Sequence, residues 1–372
     1  MDISKNTALT ILTCVKNQLT VLDVSRNADL KRLLCFGNKL TALDVGNNTA
    51  LETLYCGSNE LTALDVSKNT ELKELNCANN KLASLDLRKN MELAVLDCHY
   101  NGLTELDVKS NTKLTKLICF TNSLTALDVS KNPELKELSC GYNRLTSLDV
   151  KSNTKLTKLS CSSNSLTTLD VSKNPELKEL HCGYNRLTSL DVSNNTELAV
   201  MDCLNNRYAI TAASDRTFDL SNLPGNFDVS KASNWNGGTV SGNTLTVNSG
   251  VSIVTYSYDC GNEKSAIFTL NVTVTPAPTP TPTPSNTHPD KDFVAHMRKA
   301  LKDNNGFCPC AIVRSEDTKC MCKEFREMEE GTCHCGLYIK IKDKPAAENV
   351  DRCICCGAVI PEGRMVCPNC GE

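Results

Sequence analysis

Apolar positions in the first two hundred residues recur on a 21-residue beat. Cysteines stand at 14, 35, 56, 77, 98, 119, 140, 161, 182 and 203. Asn follows three residues after each, from Asn17 to Asn206, and Leu follows five after in nearly every copy, from Leu19 to Leu187. A second half-unit adds Leu-Asp-Val or a close variant, as in Leu64-Asp65-Val66, then an Asn such as Asn69. A fixed period near ~20 residues marks a solenoid. Leu-x-Cys predicts a short strand with Leu and Cys inward and the middle residue outward. Stacked units then form a parallel sheet over one continuous column of Leu, Val and Cys. No unit buries its own face, so stability comes from neighbours. The Asn leaves the strand, where its amide can satisfy turn backbone.

This pattern resembles the leucine-rich repeats, and most closely the 21-residue bacterial kind in which Cys replaces the central Leu. The resemblance covers residues 1–206 and implies a curved solenoid that binds an unknown protein or glycan, with no catalysis. The ten cysteines read as small buried apolar groups. Adjacent rungs lie ~4.8 Å apart, a poor geometry for disulfides along the ladder. The Asp column (Asp23, Asp44, Asp65 and onward to Asp191) reads as caps for the turns that follow, with cation binding as the alternative. The larger outward residues are Leu34, Phe36, Tyr55, Tyr100, Ile118, Phe120, Tyr142, His181 and Tyr184, and they look scattered. Met1-Asp2-Ile3-Ser4-Lys5-Asn6 is the back half of a repeat without a polar cap, as expected of a late start or a piece of a longer surface protein.

After Asn206 the periodicity stops. Residues 207–275 carry turn signals such as Asn236-Gly237-Gly238 and Ser241-Gly242-Asn243. Val254, Tyr256, Tyr258 and Cys260 alternate on one face, as do Phe268, Leu270, Val272 and Val274. This predicts a small β-sandwich packed on the C-terminal end of the solenoid. It resembles the immunoglobulin-like domains that follow bacterial leucine-rich repeats. Residues 276–289 form a Pro/Thr-rich linker, expected to be extended. Residues 290–306 read as a short helix capped by Asp290 and ended by Asn305-Gly306.

Eleven of the 22 cysteines lie beyond this point. Three Cys-x-Cys pairs come first, and so small a segment needs a staple. A zinc site and a disulfide knot are two readings. Zinc knuckles favour wider Cys spacing, and six thiols exceed one tetrahedral set. The runs Phe307-Cys308-Pro309-Cys310, Cys320-Met321-Cys322 and Cys333-His334-Cys335-Gly336-Leu337-Tyr338 resemble the catalytic subunit of ferredoxin–thioredoxin reductase. Met321 stands where that family has a second Pro. The resemblance implies a small, mainly α domain over 290–345 with a [4Fe-4S] cluster beside a redox-active disulfide. Cys308, Cys320, Cys322 and Cys333 would be the cluster ligands. Cys310 would attack the substrate disulfide, Cys335 would be its partner thiol and His334 would assist proton transfer. Ferredoxin would be the electron donor and a thioredoxin-like protein the target. Over 350–372, Cys353-x2-Cys356-Gly357 and Cys367-x2-Cys370-Gly371 resemble a zinc ribbon, a closed four-thiolate site for structural Zn2+. Cys355 is spare.

The chain is therefore multidomain. Its net charge of −3 and pI near 6.0 give no nucleic-acid footprint. No apolar run reaches the ~18 residues of a membrane span. No signal peptide is visible at Met1, so the chain as written reads as cytoplasmic, or as surface-bound or secreted if the true start lies upstream. The Pro/Thr linker points to export. Two functions compete. One is a ferredoxin-dependent disulfide reductase with the repeats as a protein-binding module. The alternative is a leucine-rich-repeat surface or adhesion-type binding protein with a structural metal-binding tail, or two unrelated coding regions joined.

Overall fold

The computed structural model describes residues 1–276 and, beyond them, the backbone of four short strands between Gly331 and Ile360. The chain divides into two units, Met1–Ala277 and Pro278–Glu372.

The first unit opens with ten three-residue strands. They are β1 (Ile11–Thr13), β2 (Arg32–Leu34), β3 (Thr53–Tyr55), β4 (Glu74–Asn76), β5 (Val95–Asp97), β6 (Lys116–Ile118), β7 (Glu137–Ser139), β8 (Lys158–Ser160), β9 (Glu179–His181) and β10 (Val200–Asp202). They pair in chain order in one parallel sheet, with Leu54 opposite Leu75 and Leu75 opposite Leu96. Each strand is a rung, numbered here as its strand. The central Leu and the following Cys point inward. Two residues after the Cys the backbone turns through the left-handed region, as at Ser58 (φ 52°) and Tyr142 (φ 51°), which ends the strand. Leu54, Cys56, Leu61 and Leu72 are fully buried, and their equivalents repeat along the sheet. All ten ladder cysteines are buried and unbridged.

Two columns of Asn tie rung to rung. In the first, Asn59 Nδ2 donates to Cys35 O (3.1 Å) and Cys56 O (3.0 Å), while its Oδ1 accepts the Leu40 N–H (3.0 Å). In the second, Asn69 Nδ2 donates to Val45 O (3.0 Å) and Asn48 O (2.8 Å). Its Oδ1 is buried and accepts from no group among the described residues. The Asp column behaves as the capping reading expects: Asp65 Oδ1 accepts the Ser67 N–H (2.8 Å), and Asp191 does the same for Ser193.

A second module follows without a break. Asn206 closes the first Asn column and opens β11 (Asn206–Ala212). β12 (Thr217–Asp219), β13 (Ala232–Asn236), β14 (Gly238–Ser241), β15 (Thr244–Val247), β16 (Ile253–Gly261) and β17 (Lys264–Val274) complete it. One sheet runs β11-β17-β16-β13 and the other β12-β15-β14. Val254, Tyr256, Phe268 and Leu270 are buried, and Trp235 stacks on Tyr256 with ring centroids 4.5 Å apart. The module seals the last full rung. Tyr256 Oη donates to Thr188 O (2.5 Å), Val192 N donates to Cys260 O (2.8 Å), and Asn262 Nδ2 donates to Val192 O (2.6 Å). Gly261 has φ 83°, and a Cβ there would sit 2.3 Å from Ser193 Oγ, so only glycine allows this approach.

In the second unit, β18 (Gly331–Thr332), β19 (Tyr338–Lys340), β20 (Asp351–Cys353) and β21 (Val359–Ile360) form one antiparallel sheet. Tyr338 lies opposite Cys353. The sheet thus draws on both segments that the sequence reading treats as separate, 290–345 and 350–372. The expected helix over 290–306 and all but the first residue of the 276–289 linker lie outside the described residues.

Candidate ligand-binding face of the solenoid

Three outward columns build the face. The third strand residue contributes Leu34, Tyr55, Asn76, Asp97 and Ile118. The residue after each Cys contributes Phe36, Gly57, Ala78, His99 and Phe120. The next contributes Ser58, Asn79 and Tyr100. Because rungs stack at ~4.8 Å, residues 21 apart in sequence become side-by-side neighbours. Phe36, Tyr55 and His99 thereby border one cleft of about 200 Å³, with Ser58, Asn76 and Asn79. Its floor is small for a reason. A Cβ on Gly57 would lie 2.6 Å from Asn76 Oδ1 and 2.9 Å from Ala78 O.

A polar network lines the cleft. Tyr55 Oη donates to Glu74 (2.5 Å), and that bond to a carboxylate pushes the phenol up to about 12. Asn76 Nδ2 donates to Asp97 Oδ2 (3.0 Å), and His99 Nδ1 lies 2.5 Å from the other oxygen of Asp97. The His99 ring stacks on Phe120 at 4.4 Å and 12°, and Tyr100 meets both edge-on at 5.6 Å. So Phe36, Tyr55, Tyr100 and Phe120, scattered in the sequence, gather on rungs 2–6. Sequence reasoning missed His99, Glu74, Asn76 and Asp97. The signal was the column: His99 occupies the position of Phe36 and Phe120. Tyr142, Tyr184 and His181 stand apart from this cluster. Stacking faces, amide donors and fixed carboxylates are recognition chemistry.

The ladder thiols are chemically quiet. Burial pushes Cys35, Cys77 and Cys140 up to about 12, so they stay protonated and are poor nucleophiles. Among the described residues, no three His, Cys, Asp or Glu side chains group to hold a metal, and no helix is long and apolar enough to cross a membrane. Of the tail residues singled out above, Cys353 lies on β20. Cys308, Cys310, Cys320, Cys322, Cys333, His334, Cys335, Cys356, Cys367 and Cys370 lie outside the described residues.

No family model matches the chain, and no curated protein matches it. Solved structures do. The leucine-rich-repeat protein LIC12759 of Leptospira interrogans is 28% identical with a TM-score of 0.52, covering 56% of this chain and 57% of its own length. The solenoid is a leucine-rich-repeat fold. The functional domain of InlJ from Listeria monocytogenes, which includes a cysteine ladder, is 28% identical over 74% of this chain and 83% of that one, with a TM-score of 0.39. The internalin inlF from Listeria monocytogenes is 17% identical over 55% of this chain and 84% of its own, with a TM-score of 0.38. The chain spans little more than half the length of the Leptospira protein.

Proposed function

We propose that this is a binding protein whose leucine-rich repeats recognise a protein ligand, displayed at the cell surface or secreted. The observation that carries this is the cleft on rungs 2–6, where aromatic walls converge on fixed carboxylates and amides. The module after the solenoid serves as a spacer and cap. Its seven strands, split between a four-stranded and a three-stranded sheet, support an immunoglobulin-like reading. Selection of a displayed peptide library on the full chain tests the cleft. A Tyr55→Ser/His99→Ser double variant should weaken the selected peptides by ~30-fold or more, the loss of about 2 kcal/mol that a hot spot carries. The melting temperature should hold, because both side chains point outward. Peptides that bind the double variant equally well would place recognition elsewhere.

The tail supports a second reading, because its three Cys-x-Cys pairs are not used by the solenoid. In that reading the tail is a disulfide reductase of the ferredoxin–thioredoxin type. Four thiolates (Cys308, Cys320, Cys322 and Cys333) would hold a [4Fe-4S] cluster that supplies single electrons, leaving Cys310 and Cys335 for thiol–disulfide exchange. Cys353, Cys356, Cys367 and Cys370 would hold Zn2+. Full chain purified without oxygen should then carry about four irons, about four sulfides and about one zinc, with absorption near ~400 nm. Cys320→Ser should lose the iron and keep the zinc. Zinc without iron in the parent chain would leave the tail a structural appendage.

A further inference from the structure

The flank of rungs 7–10 holds residues that cost folding energy and return none. Tyr142 and Tyr184 occupy the left-handed turn position at φ 51° and 53°. Asn, which tolerates that conformation, fills it at Asn79 and Asn205. For a bulky side chain it costs about 1–2 kcal/mol. Burial does not offset this, since the two rings are 65% and 61% exposed. Two residues on from each Tyr stand Arg144 and Arg186, and Arg207 occupies the same column one rung later, at the start of β11. All three are exposed, and none takes part in an ion pair among the described residues. The strand-face cations beside them are paired, Lys116 with Glu137 (2.8 Å) and Lys158 with Glu179 (2.8 Å). The flank segments 141–148, 162–169, 183–190 and 204–214 contain no Asp or Glu, whereas earlier rungs carry Glu60 and Glu105 there. The neighbouring Asp202 on β10 is engaged, its Oδ1 accepting the Leu204 N–H (3.2 Å).

We infer that this strip docks an extended acidic segment of a protein partner. A carboxylate-free surface with three unpaired guanidinium groups selects anions, and guanidinium forks match carboxylates in two-point pairs. The exposed tyrosines add rigid stacking area at low entropic cost. From rung 7 to rung 10 is ~14 Å at ~4.8 Å per rung, the length of about four extended residues. The arginines stand on rungs 7, 9 and 10, an uneven spacing. A peptide can meet it by placing Asp or Glu as required, while a polysaccharide repeats its charge regularly.

This inference rests on the binding role of the repeats but uses none of the residues of the rung 2–6 cleft. Fluorescence polarisation of a labelled oligoglutamate peptide with the full chain tests it, with heparin as the glycan comparison. The parent chain should bind oligoglutamate, more weakly as salt rises. Arg144→Gln/Arg186→Gln/Arg207→Gln should weaken binding about tenfold or more. Tyr142→Asn/Tyr184→Asn should weaken it several-fold without lowering the melting temperature, which separates a binding role from a structural one. The Tyr55→Ser/His99→Ser variant should bind oligoglutamate normally, so this strip and the cleft fail independently. No oligoglutamate binding, binding unchanged in the triple variant, or arginine-dependent binding of heparin alone would overturn the inference.

Discussion

Raising the pH above about 9 is expected to unfold the solenoid in a steep transition centred near pH ~10. The cause is the thiol column. Burial pushes Cys35, Cys77 and Cys140 up to about 12, and raises Cys14, Cys56, Cys98, Cys119 and Cys161 as well. Cys182 is raised by its contact with Cys203 and then by burial. A thiol whose folded value lies above its unfolded value holds its proton more tightly when folded. Its contribution is fully present below the unfolded value of about 8.5–9 and is lost as pH climbs toward the folded value. Each deeply buried thiol costs ~1.4 kcal/mol per pH unit in that window. The eight from Cys35 to Cys182 together cost ~11 kcal/mol per unit, and Cys14 on the first rung adds less. That sum is comparable to the whole stability of an ordinary domain, about 5–15 kcal/mol. Circular dichroism and ultraviolet thiolate absorbance, followed together against pH, check this. The two signals should move at one pH. Replacing Cys77, Cys98 and Cys119 by Val removes three of these thiols and should flatten the slope by about a third. Thiolate absorbance that rises near pH ~8.5 while the dichroism stays constant would show that the thiols are open to solvent.

The thiol ladder was legible in the sequence because the period is invariant. A Cys every 21 residues fixes rung, register and inward face at once. The same arithmetic placed the Asn and Asp columns. What it did not disclose was which outward residues meet. Tyr100 and Phe120 looked unrelated, yet one rung of stacking brings them together around His99, which a list of large apolar residues passed over. The junction was hidden for a different reason. Tyr256 reaches Thr188 across 68 residues, and no local pattern encodes a contact between two modules of different period. In the tail, motif spacing named two metal segments. The pairing of Tyr338 with Cys353 joins them through a sheet that spacing alone cannot reveal.

Asn59→Ala should cost about 3–5 kcal/mol, and Asn69→Ala only about 1–2 kcal/mol, although both asparagines are buried and both recur every 21 residues. The difference lies in what each leaves behind. Removing the Asn59 amide strips the buried Leu40 N–H of its acceptor and orphans a backbone donor, at ~1–3 kcal/mol. It also removes bonds to Cys35 O and Cys56 O, though Asn38 and Asn80 still donate to these. Removing Asn69 orphans nothing. Val45 O still accepts the Asn48 N–H and Asn48 O still accepts the Leu51 N–H. The Oδ1 that disappears was itself unpartnered among the described residues. Urea denaturation of the two variants, compared by midpoint at constant slope, measures the gap. Equal losses would mean that the second Asn column carries a backbone donor as the first does. The expected inequality would establish that the first column holds the rungs in register, while the second mainly reinforces carbonyl groups already satisfied by their own turns.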